Sequence, residues 1–382
     1  MRLFYSAHAP AFPCFHKVSH AARGIWMRQT TRYGALMIVA AAAIGAAPSV
    51  VHATSWCAAA EEDVGHATEE LSESVQDAAS REPRPRAVVH SEGTPPDSQS
   101  RALAIVARRD LQVMRDAALL WHQTHDSEAL VQAKRYLLAW IETYQPSFNP
   151  IDETNFDELF ETYGIIRPVL SQREVSRIDS FLRHWGANYV DLIEAAGDEV
   201  TRIDKIGRWN SNWQSHRIKI VTMIAAATDD DALFAHARRL FRQQVGINID
   251  GETGEVLDFR QRDAVHYVVY NIQPLLQASV AARLMGENWY NWTAGNGSSV
   301  ALAMEWLRPY ALGDITHEEF VGSSVAFDAR RARAGELGYS GTFNPKRGAD
   351  IYWYAAIFDQ SFEDIAHQLR PSEPLELAFC GR

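Results

Sequence analysis

Two polar clusters, each set in an apolar helical pattern, carry the side chains best suited to acid–base chemistry. The first is NSNWQSHRIKI (210–220), where Asn212 and His216 are four residues apart and share one face of the predicted helix. Asn210 or Ser211 is placed to cap this helix, whose first N–H groups favour an anion. A bound carboxylate would contact the Asn212 amide, His216 and the helix end together. A capping Asn and a buried, hydrogen-bonded His are the structural alternative.

The second cluster is DFRQRDAVHYVVYNIQPL (258–275), predicted to lie on one helix over about 257–285. Arg260 and Tyr267 are seven residues apart, about two helical turns, so they share a face, and His266 adjoins Tyr267. A nearby cation favours the phenolate, and such a tyrosine exchanges protons near neutral pH. A salt-bridged Arg and a packed Tyr are the structural alternative. The predicted catalytic residues are Asn212, His216, Arg260, His266 and Tyr267.

Other residues are of the types that line a site for an anionic sugar. Arg347 and Tyr352 lie in FNPKRGADIYWY (343–354), although a C-terminal packing helix explains the aromatic residues equally well. Asn155, in FNPIDETN (148–155), either shapes a groove wall or belongs to a turn, and the structural role is favoured. The predicted substrate-binding residues are Trp213, Arg217, Asn155, Arg347 and Tyr352.

The charge of the chain limits its partners. The full sequence of 382 residues has a formal net charge of −11. This charge argues against nucleic acid as a partner, whereas a local basic cleft for an anionic substrate is compatible with an acidic surface. No Cys or His spacing matches a metal site, and we expect neither a metal nor another cofactor.

The N-terminal region has the pattern of an exported protein. Residues 27–53 combine Arg28 and Arg32, an apolar run of about 13 residues and a small-residue cleavage site, which predicts a signal peptide cut after Ala53. The run is too short to span a bilayer. We expect a periplasmic or secreted protein without stable membrane insertion, preceded by an upstream extension. Cys57 and Cys380 then flank the mature chain and either pair or remain free thiols.

The remaining sequence divides into an extended segment and a helical domain. Residues 54–100 are polar and rich in Pro and Gly towards their end, which predicts an extended lead-in or an ordered surface segment. From 101 to 382 apolar residues recur three and four apart, including stretches at 211–227, 229–245, 299–312 and 350–359. Short links between helices predict antiparallel helical hairpins, and no fixed repeat supports a regular solenoid. We predict an all-α domain, an incomplete (α/α) toroid with a central groove.

Four blocks of the sequence resemble the alginate lyases of the helical-toroid type, over roughly residues 88–365. They occur in the family's order, which makes the set more specific than any single block. The blocks are HSEGT (90–94), FNPIDETN (148–155), SNWQSHRIKIVTMIAAATDDDALF (211–234) and RQRDAVHYVVYNIQPL (260–275).

The resemblance implies cleavage of a uronate polymer by β-elimination. It places the family's Asn on Asn212 and its Arg and Tyr on Arg260 and Tyr267, whereas the family's catalytic His falls on Trp213. His216 or His266 would then replace the missing imidazole. A Lys-Tyr pair found near the N-terminus of better-known members has no match in this chain. The resemblance therefore implies a polyuronate lyase more firmly than it implies alginate as the substrate.

Two other functions fit a helical toroid. A glycoside hydrolase would need two carboxylates across the groove, and Asp152, Glu153 and Asp258 are candidates without a recognisable pair. A non-catalytic uronate-binding protein would be explained by Trp213 at the position of a catalytic group. The ultraviolet absorbance of an unsaturated product distinguishes a lyase from both. The oligomeric state, the linkage and the choice between endo and exo action do not follow from the sequence.

Overall fold

The computed structural model describes residues 65–95 and 97–370. Within these ranges the regular structure is helical, and the only β pairings are two isolated bridges, Ile249 with Val256 and Glu318 with Thr342. The predicted all-α class is confirmed. The helices are α1 Gly65–Asp77, α2 Gln99–Thr124, α3 Ser127–Thr143, α4 Asp157–Ile166, α5 Gln172–Ala195, α6 Asn212–Thr228, α7 Asp231–Asn248, α8 Leu257–Arg262, α9 Val265–Leu284, α10 Val300–Leu312, α11 Ala326–Arg333, α12 Ala349–Ala356 and α13 Glu363–Leu369.

Helices α6 and α9 form the centre of the described region and pack against each other. Every residue of α6 except Trp213 is buried, as are most residues of α9. A helix buried on all sides has neighbours all round it, and α4, α5 and α7 also pack against α6. Polar side chains at the first turns of these two helices are therefore held in place by the surrounding protein.

Helices that follow each other along the chain form antiparallel hairpins. Only two residues separate α2 from α3, and two separate α6 from α7, so each pair packs side by side as predicted. Asp126 caps α3 by accepting the Glu128 N–H, and Asp230 caps α7 by accepting the Leu233 N–H. These N-caps fix where the second helix of each hairpin begins, directly after the chain has reversed.

The expectation that 54–100 is extended is wrong for part of that range, because Gly65–Asp77 forms α1. Its sequence contains no Pro and no internal Gly. Ala67, Leu71 and Val75 recur every four residues and are buried where α1 packs on α2. The extended backbone begins only after this helix, in the Pro-rich stretch.

The single helix expected over 257–285 is instead two helices joined at Asp263. Asp263 ends α8 with a left-handed backbone (φ 49°), which breaks the helical register before α9 begins. Pro274 lies inside α9, which continues to Leu284. The break changes which residues of the two halves share a face.

None of the helices in the described ranges combines the length and the apolar composition needed to cross a bilayer. The predicted signal peptide (27–53), Cys57 and Cys380 lie outside the residues that the structure describes.

Candidate active site

A basic cleft of about 530 Å³ opens where α6 and α9 begin. Helix α6 contributes Asn212 and Trp213, and α9 contributes His266, Tyr267 and Tyr270. Five arginines and two glutamates form its charged lining, which therefore favours an anionic ligand although the chain as a whole is acidic. These charged residues are Arg101, Arg108, Arg208, Arg262, Arg331, Glu92 and Glu336.

Three of the five arginines are paired within the protein. Glu336 forms ion pairs with Arg101 (Nη2–Oε1, 2.7 Å) and with Arg331. Arg262 forms an ion pair with the buried Asp328. The two other arginines of the cleft, Arg108 and Arg208, take part in none of the ion pairs found among residues 65–95 and 97–370.

Arg108 is the more enclosed of these two unpaired cations. Its Nη2 donates to Ser91 Oγ at 2.7 Å, and the Ser91 backbone N–H donates to Asp152 Oδ1 at 2.6 Å. Burial lowers the pKa of Arg108, because water that would solvate the cation is excluded. An incoming carboxylate would stabilise this charge, so Arg108 is suited to bind one.

Asn212 is held at the start of α6 by a buried carboxylate. Its backbone N–H and its Nδ2 donate to Asp258 at 3.1 and 2.6 Å, and Asn271 Nδ2 donates to the same side chain at 2.5 Å. Burial raises the pKa of Asp258, while the hydrogen bonds from Asn212 and the nearby Arg262 lower it. Asp258 thus orients the Asn212 amide, which retains a second N–H for a ligand in the cleft.

The arginine beside Tyr267 is Arg262, so the prediction for Arg260 is wrong. The Arg262 guanidinium lies 3.8 Å from the centre of the Tyr267 ring. Arg260 is half-exposed, lies outside the cleft and pairs with Asp250 and Glu255 at 2.7 Å each. The seven-residue spacing assumed a continuous helix, and the break at Asp263 turns Arg262 towards the tyrosine instead.

Tyr267 is protonated at neutral pH. Burial raises its pKa well above the ordinary value, and the opposing effect of Arg262 is smaller. The predicted phenolate is therefore not the resting state. The Tyr267 hydroxyl lies 3.3 Å from the hydroxyl of Tyr339. A neutral phenol in this position is suited to donate a proton, and Arg262 stabilises the phenolate that remains.

The two candidate histidines occupy different positions. His266 lines the cleft, and burial together with Arg347 and Arg262 lowers its pKa to about 4, so its imidazole is neutral at pH 7. His216 lies outside the cleft lining, buried beneath it, with its ring 4.6 Å from the Tyr270 ring. Burial lowers the pKa of His216 far below the ordinary value. Of the two imidazoles, only His266 is placed to meet a ligand in this cleft.

Trp213 lies on the cleft wall with cations on its ring. The guanidinium of Arg208 is 4.7 Å from the Trp213 ring centre and that of Arg217 is 5.9 Å away. Arg217 itself is buried, lies 4.0 Å from the Trp209 ring and donates to the Arg208 carbonyl at 2.5 Å. Arg217 therefore supports the wall rather than lining it, contrary to its prediction as a substrate-binding residue.

The structure separates the other three predicted substrate-binding residues. Asn155 is half-buried in the 3₁₀ turn Thr154–Phe156 and does not line the cleft. Tyr352 is buried in α12, where its hydroxyl lies 3.4 Å from the Leu307 carbonyl, so packing explains it and the binding prediction is wrong. Arg347 lines an adjoining cavity of about 340 Å³ that shares His266 with the cleft.

Sequence reasoning missed several residues that line the cleft. Arg108 lies in the apolar pattern of α2. A cation within such a pattern is the sequence signal that could have marked it as a site residue. Tyr270 is one helical turn after Tyr267, so its shared face was predictable from spacing. Arg331 and Tyr339 belong to the segment after α10, where the sequence offers no spacing signal.

The carboxylates proposed for hydrolysis have other partners. Asp152 accepts the backbone N–H groups of Ser91 and Glu92, and Glu153 is buried among Tyr144, Trp185 and Tyr189. Asp258 binds Asn212, and none of the three lines the cleft.

No cluster of three or more His, Cys, Asp or Glu side chains that could hold a metal ion occurs in the described part of the chain.

Comparison with known proteins identifies the family of the chain. A sequence model of the family Alginate_lyase (Alginate lyase) matches residues 59–317, about two thirds of the chain. The chain belongs to the alginate lyase family. It is a polysaccharide lyase. No curated protein matches it by sequence.

Solved structures resemble the chain at low sequence identity. An alginate lyase from Bacteroides ovatus is 14% identical, with a TM-score of 0.59 over 83% of this chain and 94% of that one. Alginate lyase A1-III from Sphingomonas species A1 is 16% identical, with a TM-score of 0.48 over 78% and 93% of the two chains. The likeness to the Bacteroides ovatus structure supports the fold, and the predicted incomplete (α/α) toroid is confirmed.

Proposed function

We propose that this lyase cleaves alginate or a related polyuronate by β-elimination in the basic cleft and releases unsaturated oligosaccharides. The charge of the cleft carries the proposal. Arg108 and Arg208 face the cleft without a carboxylate partner among the described residues, in a chain with a net charge of −11. A polyuronate carries one carboxylate on each sugar ring and supplies those partners.

Elimination begins with removal of the proton on C5, which is acidic only when the neighbouring carboxylate is neutralised. Asn212, oriented by Asp258, donates its free amide N–H to this carboxylate, and Arg262 adds positive charge. The negative charge that develops on the carboxylate oxygens as the C5–H bond breaks is stabilised by groups already in place.

His266 is the proposed base and Tyr267 the proposed acid. The neutral imidazole takes the C5 proton, the C4=C5 double bond forms, and the C4–O4 bond breaks while Tyr267 gives its proton to O4. The pKa of His266 is held down partly by Arg347 and Arg262. A bound carboxylate neutralises these cations, so substrate binding raises the basicity of the base.

Neighbouring sugar rings extend beyond the reacting one. Trp213 offers an aromatic face for stacking, and its ring already lies beside the Arg208 guanidinium. Arg347, in the cavity that adjoins the cleft through His266, is exposed and is the proposed partner for a second carboxylate. These contacts would hold a polymer in the cleft rather than a single sugar.

A screen of acidic polysaccharides tests the proposed activity. The purified protein is incubated with polymannuronate, polyguluronate, polyglucuronate and hyaluronan, and the ultraviolet absorbance of unsaturated product is followed. We expect absorbance to rise with at least one polyuronate. New reducing ends without absorbance would indicate hydrolysis, and binding without any new ends would indicate a non-catalytic protein.

Export is the second part of the proposal. The basic start, apolar run and small-residue site over residues 27–53 support release to the periplasm or beyond, where polymeric substrate is met. Mass spectrometry of the exported protein should find its N-terminus near Thr54. An exported chain that retains residues 27–53 would contradict this.

A further inference from the structure

One wall of the cleft comes from a segment beyond the family match, which ends at residue 317. We call residues 318–342 the C-terminal arm. The Phe320 N–H donates to the Asp263 carbonyl at 2.7 Å, and the Ser324 N–H donates to the Gln261 carbonyl at 3.1 Å. These bonds attach the arm to the junction of α8 and α9. The arm residues that line the cleft are Phe327, Arg331, Glu336 and Tyr339.

Tyr339 is the arm residue closest to the proposed acid. Its hydroxyl lies 3.3 Å from the hydroxyl of Tyr267. Its ring stacks on Phe320, with centroids 5.0 Å apart and planes 19° apart, and the Arg331 guanidinium is 6.0 Å from the ring centre. Phe320 itself has a left-handed backbone (φ 67°), a conformation that a bulky residue seldom adopts. The arm is therefore shaped to hold the Tyr339 ring in one place.

The two hydroxyls differ in their access to water. Tyr267 is 7% exposed, whereas Tyr339 is half-buried and so more accessible to water. Once Tyr267 has given up its proton, its phenolate lies away from bulk water. The hydroxyl pair forms a short path from the buried oxygen towards the solvent.

We infer that Tyr339 is a proton-relay residue that reloads Tyr267 after each elimination, an inference that rests on the proposed function. After the Tyr267 proton has moved to O4, the phenolate oxygen takes the hydroxyl proton of Tyr339. Tyr339 then takes a proton from water in the cleft, and the imidazolium of His266 returns the former C5 proton to water. The enzyme is restored, and the net change is one proton moved from C5 to O4.

The variant Tyr339→Phe tests the relay, because it keeps the ring and its stack on Phe320 but removes the hydroxyl. We expect kcat to fall by about tenfold or more while KM changes by less than about twofold. Added imidazole buffer should restore part of kcat in a concentration-dependent way, since a small proton donor replaces a lost relay. Tyr310→Phe is the matched control, because Tyr310 packs on Trp306 outside the cleft.

The outcomes separate the relay from the proposed function. Full activity in Tyr339→Phe, or a loss that imidazole does not restore, overturns the relay while a polyuronate lyase remains. Wild-type protein that forms no unsaturated product from any polyuronate overturns both. If Tyr339→Phe does not fold, the relay is tested on the wild type instead. Its kcat is measured in mixtures of light and heavy water as a function of the deuterium content. A curved dependence on deuterium content supports two protons in transfer, and a linear dependence overturns the relay.

Discussion

Helices α2 and α6 each contribute to two charged regions, and the surplus charge of the two regions has opposite signs. Along α2, Arg108 faces the cleft and the mostly buried Arg115 follows seven residues later; along α6, Asn212 faces the cleft and Lys219 is buried. The inner region, which we call the buried acidic cluster, has more carboxylates than cations. Its members are Asp116, Asp157, Glu158, Glu161, Arg115 and Lys219.

The buried acidic cluster reduces its excess negative charge by keeping one carboxyl group protonated. Arg115 pairs with Asp116 and Glu158, and Lys219 pairs with Asp157. Neither carboxylate oxygen of Glu161 has a hydrogen-bond partner in the described part of the chain. Burial and the neighbouring Asp157 raise the pKa of Glu161 to about 8. The carboxyl group is therefore mostly neutral at pH 7.

The cleft cannot resolve its surplus in the same way, because arginine does not give up its proton near neutral pH. Arg108 stays charged, partly desolvated and without a carboxylate partner among the described residues. An unpaired charge in a closed interior thus leads to a shifted pKa, whereas an unpaired arginine in an open cleft indicates a ligand of opposite charge.

The largest expected effect is at Tyr267, a neutral group that the cleft uses for chemistry. Tyr267→Phe keeps the ring under Arg262 and removes the proton donor, so kcat should fall by about 10²-fold or more. Substrate binding should persist, because the charged residues remain. Turnover and melting temperature are measured on the same purified variant. A fall in melting temperature with unchanged turnover per folded molecule would mean that the hydroxyl is structural and would transfer the acid role elsewhere.

Removing the unpaired cation of the cleft should affect binding rather than stability. Arg108→Met should raise KM by about tenfold or more, since a charge-assisted hydrogen bond to a substrate carboxylate is lost. The melting temperature should not fall, because a desolvated cation without a partner is removed. Arg109→Met is the matched control: it makes the same charge change one residue along α2, at an exposed position. Equal KM values for the two variants would contradict carboxylate binding by Arg108.

In the buried acidic cluster, substitution should affect stability and its pH dependence. Because the pKa of Glu161 is raised to about 8, the native state retains a proton that the unfolded chain loses above its ordinary pKa. That contribution to stability is complete at low pH and is lost as the pH rises towards 8. Glu161→Gln should therefore match the wild type near pH 4 and melt several degrees higher at pH 8.

The control for this pH dependence is Glu174→Gln. Glu174 belongs to the capping box of α5, and its hydrogen bonds with Lys134 and Ser171 lower its pKa to about 2. Its stabilisation is present above the unfolded pKa and lost as the pH falls towards 2. Glu174→Gln should thus lower the melting temperature at pH 7. A Glu161→Gln protein that melts lower than the wild type at pH 8 would show that the carboxylate is stabilised by partners.

The smallest effect is expected at Arg260, which lies in neither region. Arg260→Gln breaks only exposed pairs with Asp250 and Glu255, so kcat and KM should stay within about twofold of the wild type. Arg262→Gln, assayed in parallel, should reduce activity strongly because it removes the cation beside Tyr267. Loss of activity in the Arg260 variant alone would reverse the assignment of the two arginines.

Much of the helical fold was predictable from the spacing of apolar residues. Helices α6, α7, α10 and α12 lie close to their predicted ranges, because each buries a face large enough to fix the period. Helix α1 has the same pattern at Ala67, Leu71 and Val75, but it is short and is followed by the Pro-rich stretch, which favours an extended segment. The signals of helix formation are local in the sequence, so they can be recognised without knowledge of the tertiary structure.

The candidate site was predictable only where its residues share one helix. Asn212, His266 and Tyr267 follow from helix starts and helix faces. Tyr339 reaches the cleft through the C-terminal arm, and Arg108 through α2, more than a hundred residues away from the α6 cluster. Such contacts depend on tertiary packing, for which a single sequence carries no spacing signal.

The left-handed residue Asp263 has a consequence for recognising relatives of this lyase. Because the chain turns there, Arg262 and Tyr267 meet across a joint rather than along one helix. A pattern search that demands an arginine seven positions before the tyrosine would select Arg260 in this chain and annotate a surface residue as essential. In this chain the pair is a cation against an aromatic ring, so superposition of structures identifies it where counting positions does not.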